Sequence, residues 1–141
     1  MRSAEGAGTI DVVAGTVIGI ANTSEDIIEL LRLAFERAGC TTAAIHLPDV
    51  KAGRASFEDF LRAHDPAGLV IDIAPPYDDN WRFVKQLRSL SAMRGRGIVI
   101  TTTNARHLSR LAREDTGAIE IVGKPNDIQQ VVDAMRRALA K

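Results

Sequence analysis

One carboxylate in this chain stands where a folded protein could use it for chemistry. Residues 68–71, Gly-Leu-Val-Ile, lead directly into Asp72, and two prolines, two acids and an asparagine follow within eight positions. An unbroken apolar run bounded by turn residues is typical of a strand buried on both faces of a parallel sheet. Asp72 would then lie at the carboxyl end of its strand, where open α/β sheets bind ligands. Because a carboxylate beside the core is costly without a charged partner, we expect a cation from elsewhere in the chain to meet it.

The segments around Asp72 alternate between strand and helix patterns. Besides the Asp72 segment, the predicted strands are 16–20, 42–47, 98–103 and 118–122, and the predicted helices centre on 27–38, 57–61, 81–90, 108–112 and 128–139. Residues 48–55 are predicted to form a loop. This alternation predicts a doubly wound five-stranded parallel sheet, flavodoxin-like, with helices on both faces and strand order 2-1-3-4-5. On that order Asp72 neighbours the Asn22-Thr23 turn, and Lys124, just past the fifth strand, supplies the cation on a long flexible stem.

The first helix has the clearest apolar pattern. Its predicted buried face recurs at helical spacing and consists of Ile27, Leu30, Leu31, Ala34, Phe35 and Ala38. Gly39 is predicted to end the helix. Thr23 and Asp26 have the spacing of a capping box, and Ser24 is the alternative cap.

Composition sets the class of protein. The 141 residues suit a single domain, predicted at 16–141 after a flexible tail at 1–15. Basic and acidic residues are balanced at 18 each, which argues against a nucleic-acid partner. Neither a signal peptide nor a membrane span fits the apolar segments, and the single cysteine, Cys40, makes a cytoplasmic setting the default. The three histidines have no metal-ligand spacing.

Together these segments resemble the receiver domains of two-component response regulators. The stretch from Asp72 to Trp81 is similar to the phosphoacceptor segment of that family, with Pro76 four residues after the aspartate. The step from Lys124 to Pro125 after the fifth strand is similar to a Lys-Pro step that is usually a cis peptide in these proteins. Thr102 falls where the family keeps a switch threonine or serine. The resemblance covers the chain from about residue 16 to its end.

The resemblance implies a phosphorylatable switch, not an enzyme in its own right. A phosphohistidine on a sensor histidine kinase or a phosphotransfer protein would donate its phosphoryl group to Asp72. Lys124 would pair with one phosphoryl oxygen and Thr102 would bind another, which shifts the face made by the fourth helix, fifth strand and fifth helix. Output would pass through contacts with a downstream protein target, and the resemblance allows a homodimer through the fourth and fifth helices.

The acidic pair is the main departure from the family. Typical receivers carry two acids after the first strand that bind Mg²⁺ with the phosphoacceptor, and here Asn22 and Thr23 stand at those positions. Asp72 and the carbonyl of Ala74 remain as ligands, so Mg²⁺ binding is expected to be weakened and phosphorylation slow or metal-poor. Three acids could supply a substitute ligand: Glu25, Asp26 and Asp78. Each can also be interpreted as an acid at a helix start or in a loop, where the helix dipole favours it.

Two further positions depart from the family pattern. Ile121 stands three residues before the lysine, where many receivers have an aromatic switch residue, and it is interpreted as a buried strand residue. Thr103 replaces a usually smaller residue beside the phosphoryl pocket. Trp81, which starts the third predicted helix, is interpreted as packing against the sheet.

Alternatives remain open at the level of the residues and of the function. Asp72 and Lys124 could be a remnant ion pair, Thr102 could reflect strand propensity, and Thr23 could be a helix cap. Three functions are considered: a phosphorylated single-domain receiver, a phosphorylation-independent receiver that acts as a binding module, and a flavodoxin-like flavin or nucleotide binder. For the third, the turn at 22–24 offers hydroxyls but no glycine for a phosphate loop.

Overall fold

Five parallel strands form one sheet in the order β2-β1-β3-β4-β5. The computed structural model describes residues 11–113, 119–123 and 127–141. The strands are β1 (Val17–Asn22), β2 (Thr41–His46), β3 (Gly68–Ile73), β4 (Gly97–Thr102) and β5 (Ile119–Gly123). The predicted fold class, strand order and parallel pairing are confirmed.

Helices connect the strands on both faces of the sheet. They are α1 (Glu25–Arg37), α2 (Leu47–Lys51), α3 (Phe57–His64), α4 (Tyr77–Arg88), α5 (Ala105–Leu111) and α6 (Ile128–Ala140). A short 3₁₀ turn, Ser91–Met93, follows α4. The predicted loop at 48–55 was wrong in its first half, because α2 occupies those positions. Pro48 stands in the first turn of α2, where a missing N–H costs no helical hydrogen bond, and buried Leu47 anchors the helix to the core.

Two apolar cores lie on opposite faces of the sheet. On one face α1 and α6 cover the sheet, with Phe35 and Met135 fully buried against Ile20 and Val70. On the other face lie α2, α3, α4 and α5, whose buried side chains include Trp81. The packing predicted for Trp81 is therefore confirmed, and this two-sided coverage explains why β3 is apolar apart from Asp72.

The buried face of α1 differs from the predicted one. The side chains that enter the core are Ile28, Leu31 and Phe35, whereas Ile27 is 36% exposed and Leu30 is 49% exposed. The helix is apolar over a wider arc than its contacts with β1, β2 and α6 can bury, so spacing alone does not identify which part of the arc faces inward.

The amino end of α1 uses the alternative cap. Ser24 Oγ accepts the N–H of Ile27 at 3.3 Å, so Ser24 and not Thr23 is the N-cap. The predicted end of α1 is close to the observed one, because Arg37 is the last helical residue and Gly39 follows with a φ of +97°.

Residues 11–15, which lie within the predicted tail, pack against the rest of the domain. Asp11 pairs with Arg136 of α6 through three hydrogen bonds, from Nε to Oδ1 at 3.1 Å and to Oδ2 at 3.2 Å and from Nη2 to Oδ2 at 2.9 Å. We call this pair the Asp11–Arg136 clasp. Val13 is fully buried, and Gly15 donates its N–H to the carbonyl of Gly39 at 2.9 Å. The hydrogen bond from Arg136 holds the pKa of Asp11 below its ordinary value.

Candidate functional site

The strand order places a crevice between the carboxyl ends of β1 and β3. The register pairs Ala21 with Ile71, so the next residues along, Asn22 and Asp72, lie next to each other near the carboxyl ends of the two strands. The structure therefore brings Asp72 and the Asn22-Thr23 turn together, as the strand order predicts. A small cleft of about 30 Å³ opens there, and its lining consists of Thr23, Leu47, Lys51, Asp72, Ala74, Asn80, Phe83 and Val84.

Asp72 is half-buried at the floor of this crevice and is oriented by β4. Its Oδ1 accepts a hydrogen bond of 2.8 Å from the hydroxyl of Thr101, its partner in the β3–β4 register. Thr101 is buried, so this hydroxyl has a fixed place beside the carboxylate. Sequence reasoning missed Thr101, because in a run of three threonines only the strand register shows which one faces Asp72.

Thr102, the predicted switch residue, is fully buried at the end of β4. Its hydroxyl accepts the N–H of Asn104 at 3.3 Å. Side chains alternate along a strand, so Thr102 and Thr101 point to opposite faces of the sheet. The switch role of Thr102 stays a prediction.

The predicted cation and the step that follows it, Lys124 and Pro125, lie outside the described residues. The described part of β5 ends at Gly123, which pairs with Thr102 in the β4–β5 register. The pairing of Lys124 with Asp72 stays a prediction.

Asn22, at the first of the two degenerate acidic positions, has a local structural role. It is buried, and its Oδ1 accepts the N–H groups of Thr23 at 2.7 Å and Ser24 at 3.0 Å. A carbonyl oxygen has two lone pairs, so these two bonds saturate it. The bonds fix the turn from β1 into α1 and leave exposed Thr23 on the rim of the cleft. They also occupy the two N–H groups that a flavin phosphate would need at this turn.

A lysine that the sequence analysis did not single out reaches the same cleft. Lys51, the last residue of α2, donates from Nζ to Asn80 Oδ1 at 2.6 Å and lies 5.3 Å from the centre of the Phe83 ring. Asn80 in turn donates from Nδ2 to the carbonyl of Ala74 at 2.7 Å. This chain of bonds joins α2 to α4 across the mouth of the Asp72 cleft. Only the presence of α2 places Lys51 there, and a sequence pattern that reads this segment as a loop could not show it.

The donor set of the cleft does not fit Mg²⁺. This ion demands near-octahedral coordination by hard oxygens and keeps several waters. The oxygen of Asn22 is saturated by N–H groups, the carbonyl of Ala74 accepts from Asn80, and Asp72 supplies a single carboxylate. A cleft of about 30 Å³ also has room for about one or two waters only, and the Lys51 ammonium at its edge repels a dication.

In the described structure, the candidate substitute acids Glu25, Asp26 and Asp78 do not complete a set of ligands for Mg²⁺. Glu25 is bound by His46 Nε2 at 2.7 Å, and Asp78 is bound by His107 Nε2 at 2.7 Å. Asp26 is exposed in the first turn of α1. Within residues 11–113, 119–123 and 127–141, no group of three or more His, Cys, Asp or Glu side chains is placed to hold a metal ion.

The opposite rim of the crevice carries a polar link between α4 and α5. The hydroxyl of Tyr77 lies 2.5 Å from that of Thr103, and the Tyr77 ring lies edge-on to His107 with centres 5.8 Å apart. Thr103 therefore contacts α4 and is exposed at this rim. Ile121 lies in β5 and packs against the core, so its interpretation as a strand residue is confirmed, but it is only partly buried.

Solved structures with similar folds are receiver domains and signalling proteins. A sensor protein from Polaromonas sp. JS666 is 23% identical with a TM-score of 0.69, over 89% of this chain and 97% of that one. The signal receiver domain of a two-component histidine kinase from Clostridium thermocellum is 18% identical with a TM-score of 0.69, over 90% and 99%. Chemotaxis protein CheY4 of Vibrio cholerae is 18% identical with a TM-score of 0.68, over 89% and 99%.

Among curated proteins, response regulator Rre1 of Synechocystis is similar to this chain. The two are 27% identical over 93 residues, which make up 66% of this chain and 40% of that protein. The chain thus spans less than half of the length of this curated relative. No protein-family model matches the chain.

These comparisons confirm the fold that the sequence motifs implied. The chain has the fold of response regulator receiver domains, and the proteins it resembles include a signal receiver domain of a two-component system and a response regulator. No helix in the described residues is both long enough and apolar enough to cross a membrane.

Proposed function

We propose that this chain is a receiver module of two-component signalling that accepts a phosphoryl group at Asp72 and acts through protein contacts. The observation that carries the proposal is the position of Asp72. It stands near the carboxyl end of the central strand β3, in the cleft between the ends of β1 and β3. One of its oxygens is oriented by the hydroxyl of Thr101 at 2.8 Å. An oriented carboxylate at this place can act as a nucleophile toward phosphorus.

For phosphoryl transfer to Asp72, the protein needs mainly to position the reacting groups and to neutralise charge. Phosphoryl transfer is catalysed mainly by positioning and by neutralisation of charge on the equatorial oxygens. The hydroxyl of Thr101 fixes the direction of the Asp72 carboxylate. In the proposed cycle Lys124 pairs with one phosphoryl oxygen and Thr102 binds another, which links the site to the face formed by α5, β5 and α6.

The donor is proposed to be a phosphohistidine on a sensor histidine kinase or a phosphotransfer protein. A docking surface for such a protein is available beside the cleft. Ile27, Leu30 and Leu33 form an exposed apolar line on α1, the α1 stripe, which begins one helical turn after Thr23. Leu33 is 50% exposed, so this line offers large apolar side chains to a partner helix.

Mass spectrometry under acidic conditions, after incubation with a small phosphodonor, tests whether Asp72 is the phosphoryl acceptor. We expect wild-type protein to gain the mass of one phosphoryl group and Asp72→Asn to gain none. Asp79→Asn is the matched control, because Asp79 is an exposed acid of the same segment whose carboxylate binds Arg82 on its own helix. An adduct that survives Asp72→Asn would contradict the assignment of the acceptor.

The partner surface has its own test with a phosphorylated phosphotransfer protein as donor. We expect Leu30→Ala together with Leu33→Ala to slow transfer from the protein donor at least about tenfold, because the α1 stripe then loses its two most exposed side chains. The rate with a small phosphodonor should stay unchanged. Equal slowing with both donors would show that the substitutions act on the site and not on docking.

A phosphorylation-independent binding module is the second candidate. It is favoured by the saturated oxygen of Asn22 and by the hydrogen bond that engages the Ala74 carbonyl. Both oxygens serve the local fold in the arrangement that the structure has. Absence of any adduct with small donors and with protein donors would support this candidate over the first.

A further inference from the structure

The oxygen donors of the Asp72 cleft do not suit a divalent cation, but the mouth of the cleft contains a cationic side chain, Lys51. Lys51 and Asp72 line the same cleft, and the Lys51 ammonium is held there by Asn80 at 2.6 Å and by its contact with the Phe83 ring. A lysine stem has high rotamer entropy, so two simultaneous contacts restrict the position of this exposed ammonium more than one contact would. The structure supplies both.

The contacts of Lys51 also close the position that a metal would need. Asn80 bridges the ammonium to the carbonyl of Ala74, which is the backbone oxygen expected to coordinate Mg²⁺. The oxygen of Asn22 is turned toward the N–H groups of its own turn. Among the described residues, the protein therefore fills this region with its own donors and places the Lys51 ammonium in the same cleft as the acceptor carboxylate.

We propose that Lys51 takes the part of the divalent cation, so that Asp72 accepts a phosphoryl group without Mg²⁺. This inference rests on the proposed function. An oxygen of the Asp72 carboxylate attacks phosphorus and forms the new P–O bond while the P–N bond to the donor breaks. The electron pair of that bond leaves with the donor nitrogen, which takes up its proton from water. The ammonium of Lys51 leaves Asn80 and pairs with a phosphoryl oxygen, because a doubly charged group attracts it more strongly than a neutral amide does.

The exchange of partners gives Lys51 a second consequence. Its bond to Asn80 joins the end of α2 to the first turns of α4. When the ammonium moves to the phosphoryl group, that link is lost, and Asn80 keeps only its bond to Ala74. Phosphorylation would thus loosen α2 from α4 at the rim of the cleft.

Phosphoramidate, a small donor with a P–N bond, tests the proposal in the full chain. The rate of the mass increase is measured in Mg²⁺ and in EDTA for wild type, Lys51→Gln and Lys85→Gln. Lys85 is an exposed lysine of α4 outside the cleft lining, so Lys85→Gln is the matched control. We expect EDTA to change the wild-type rate by less than about twofold and Lys51→Gln to slow it at least about tenfold, with Lys85→Gln unchanged.

A second pair of measurements reads out the metal directly. Calorimetric titration with MgCl₂ up to about 10 mM should give no binding heat for wild type. Asn22→Asp combined with Lys51→Gln should bind Mg²⁺ and label faster with it, because a second carboxylate then stands at the end of β1 next to Asp72 and the ammonium is gone. The aspartate retains the oxygen that accepts from Thr23 and Ser24, so the turn is preserved. Thermal melts of each variant establish that it is folded.

The outcomes separate this inference from the proposed function. Labelling that requires Mg²⁺ in wild type, or equal rates for wild type and Lys51→Gln, overturns the role of Lys51 and leaves Asp72 as the acceptor. No labelling under any condition overturns the proposed function, and the role of Lys51 falls with it. Metal-independent labelling that Lys51→Gln slows supports both.

Discussion

Ile27 and Ile28 are neighbours on α1, but only Ile28 lies inside the core, with 4% of its surface exposed against 36% for Ile27. Substituting each by alanine removes the same atoms from adjacent helical positions, so differences in helix propensity cancel. The comparison therefore measures which side of the wide apolar arc of α1 faces the sheet. We expect Ile28→Ala to be much the more destabilising substitution.

The magnitude follows from burial. Ile28→Ala removes three buried carbon groups worth about 0.8 kcal/mol each, or about 2.4 kcal/mol, and the remaining cavity brings the loss to about 3 kcal/mol. At Ile27 roughly two thirds of the surface is covered, which bounds the loss at about 1.5 kcal/mol. Part of that surface is already covered in the unfolded chain, so we expect about 1 kcal/mol.

Urea unfolding followed by circular dichroism measures both losses. The expected gap of about 2 kcal/mol is roughly a 30-fold difference in the unfolding equilibrium constant, at an unchanged m-value. Leu30→Ala serves as a second exposed control and should cost about 1 kcal/mol or less. Equal losses at the two isoleucines, or a larger loss at Ile27, would refute the observed orientation and favour the face predicted from spacing.

Three further predictions concern the site and the periphery. Thr101→Val removes the donor to Asp72 and should lower the free energy of unfolding by about 1 kcal/mol and slow labelling by a small phosphodonor, as measured by urea titration and mass spectrometry. Arg136 lowers the pKa of Asp11 from 3.8, so the clasp contributes above that pH and its contribution is lost as the pH falls through the lower folded-state value. Asp11→Asn should therefore cost about 1 kcal/mol at pH 7 in urea titrations and progressively less below pH 3.8. Burial raises the pKa of Cys40, which should react with a thiol reagent at least about tenfold more slowly than in the urea-unfolded chain.

The sheet could be predicted from the sequence because its signals are strong and mutually consistent. Apolar runs bounded by turn residues mark β3 and β4, and helical spacing marks the segments between strands. The strand order then brings Asp72 beside Asn22 without further information. To predict that these two residues are neighbours, it is enough to know their positions along their strands and the order of the strands.

The missed features all depend on side-chain direction or on weak local signals. Ile27 and Ile28 both fit an apolar helix face, and only the packing of α1 on the sheet separates them. Thr101 and Thr102 are equivalent in composition, and only the β3–β4 register selects Thr101 for Asp72. Lys51 depends on a helix of five residues, too short for a periodic pattern.

The Asp11–Arg136 clasp joins positions 125 residues apart, so its closure costs the entropy of a loop that spans nearly the whole domain. Its two side chains are about one third exposed, and such a pair returns little free energy before the rest of the fold is in place. The segment at 11–15 should therefore detach and reattach while the sheet stays intact, as a local opening. Cys40 donates its thiol hydrogen to the carbonyl of Val13, so each detachment would uncover the sulfur. The rate at which Cys40, the single cysteine of the chain, reacts with a thiol reagent should therefore report how often the segment at 11–15 detaches. Amide hydrogen exchange at Val13 and Gly15 measures the same opening.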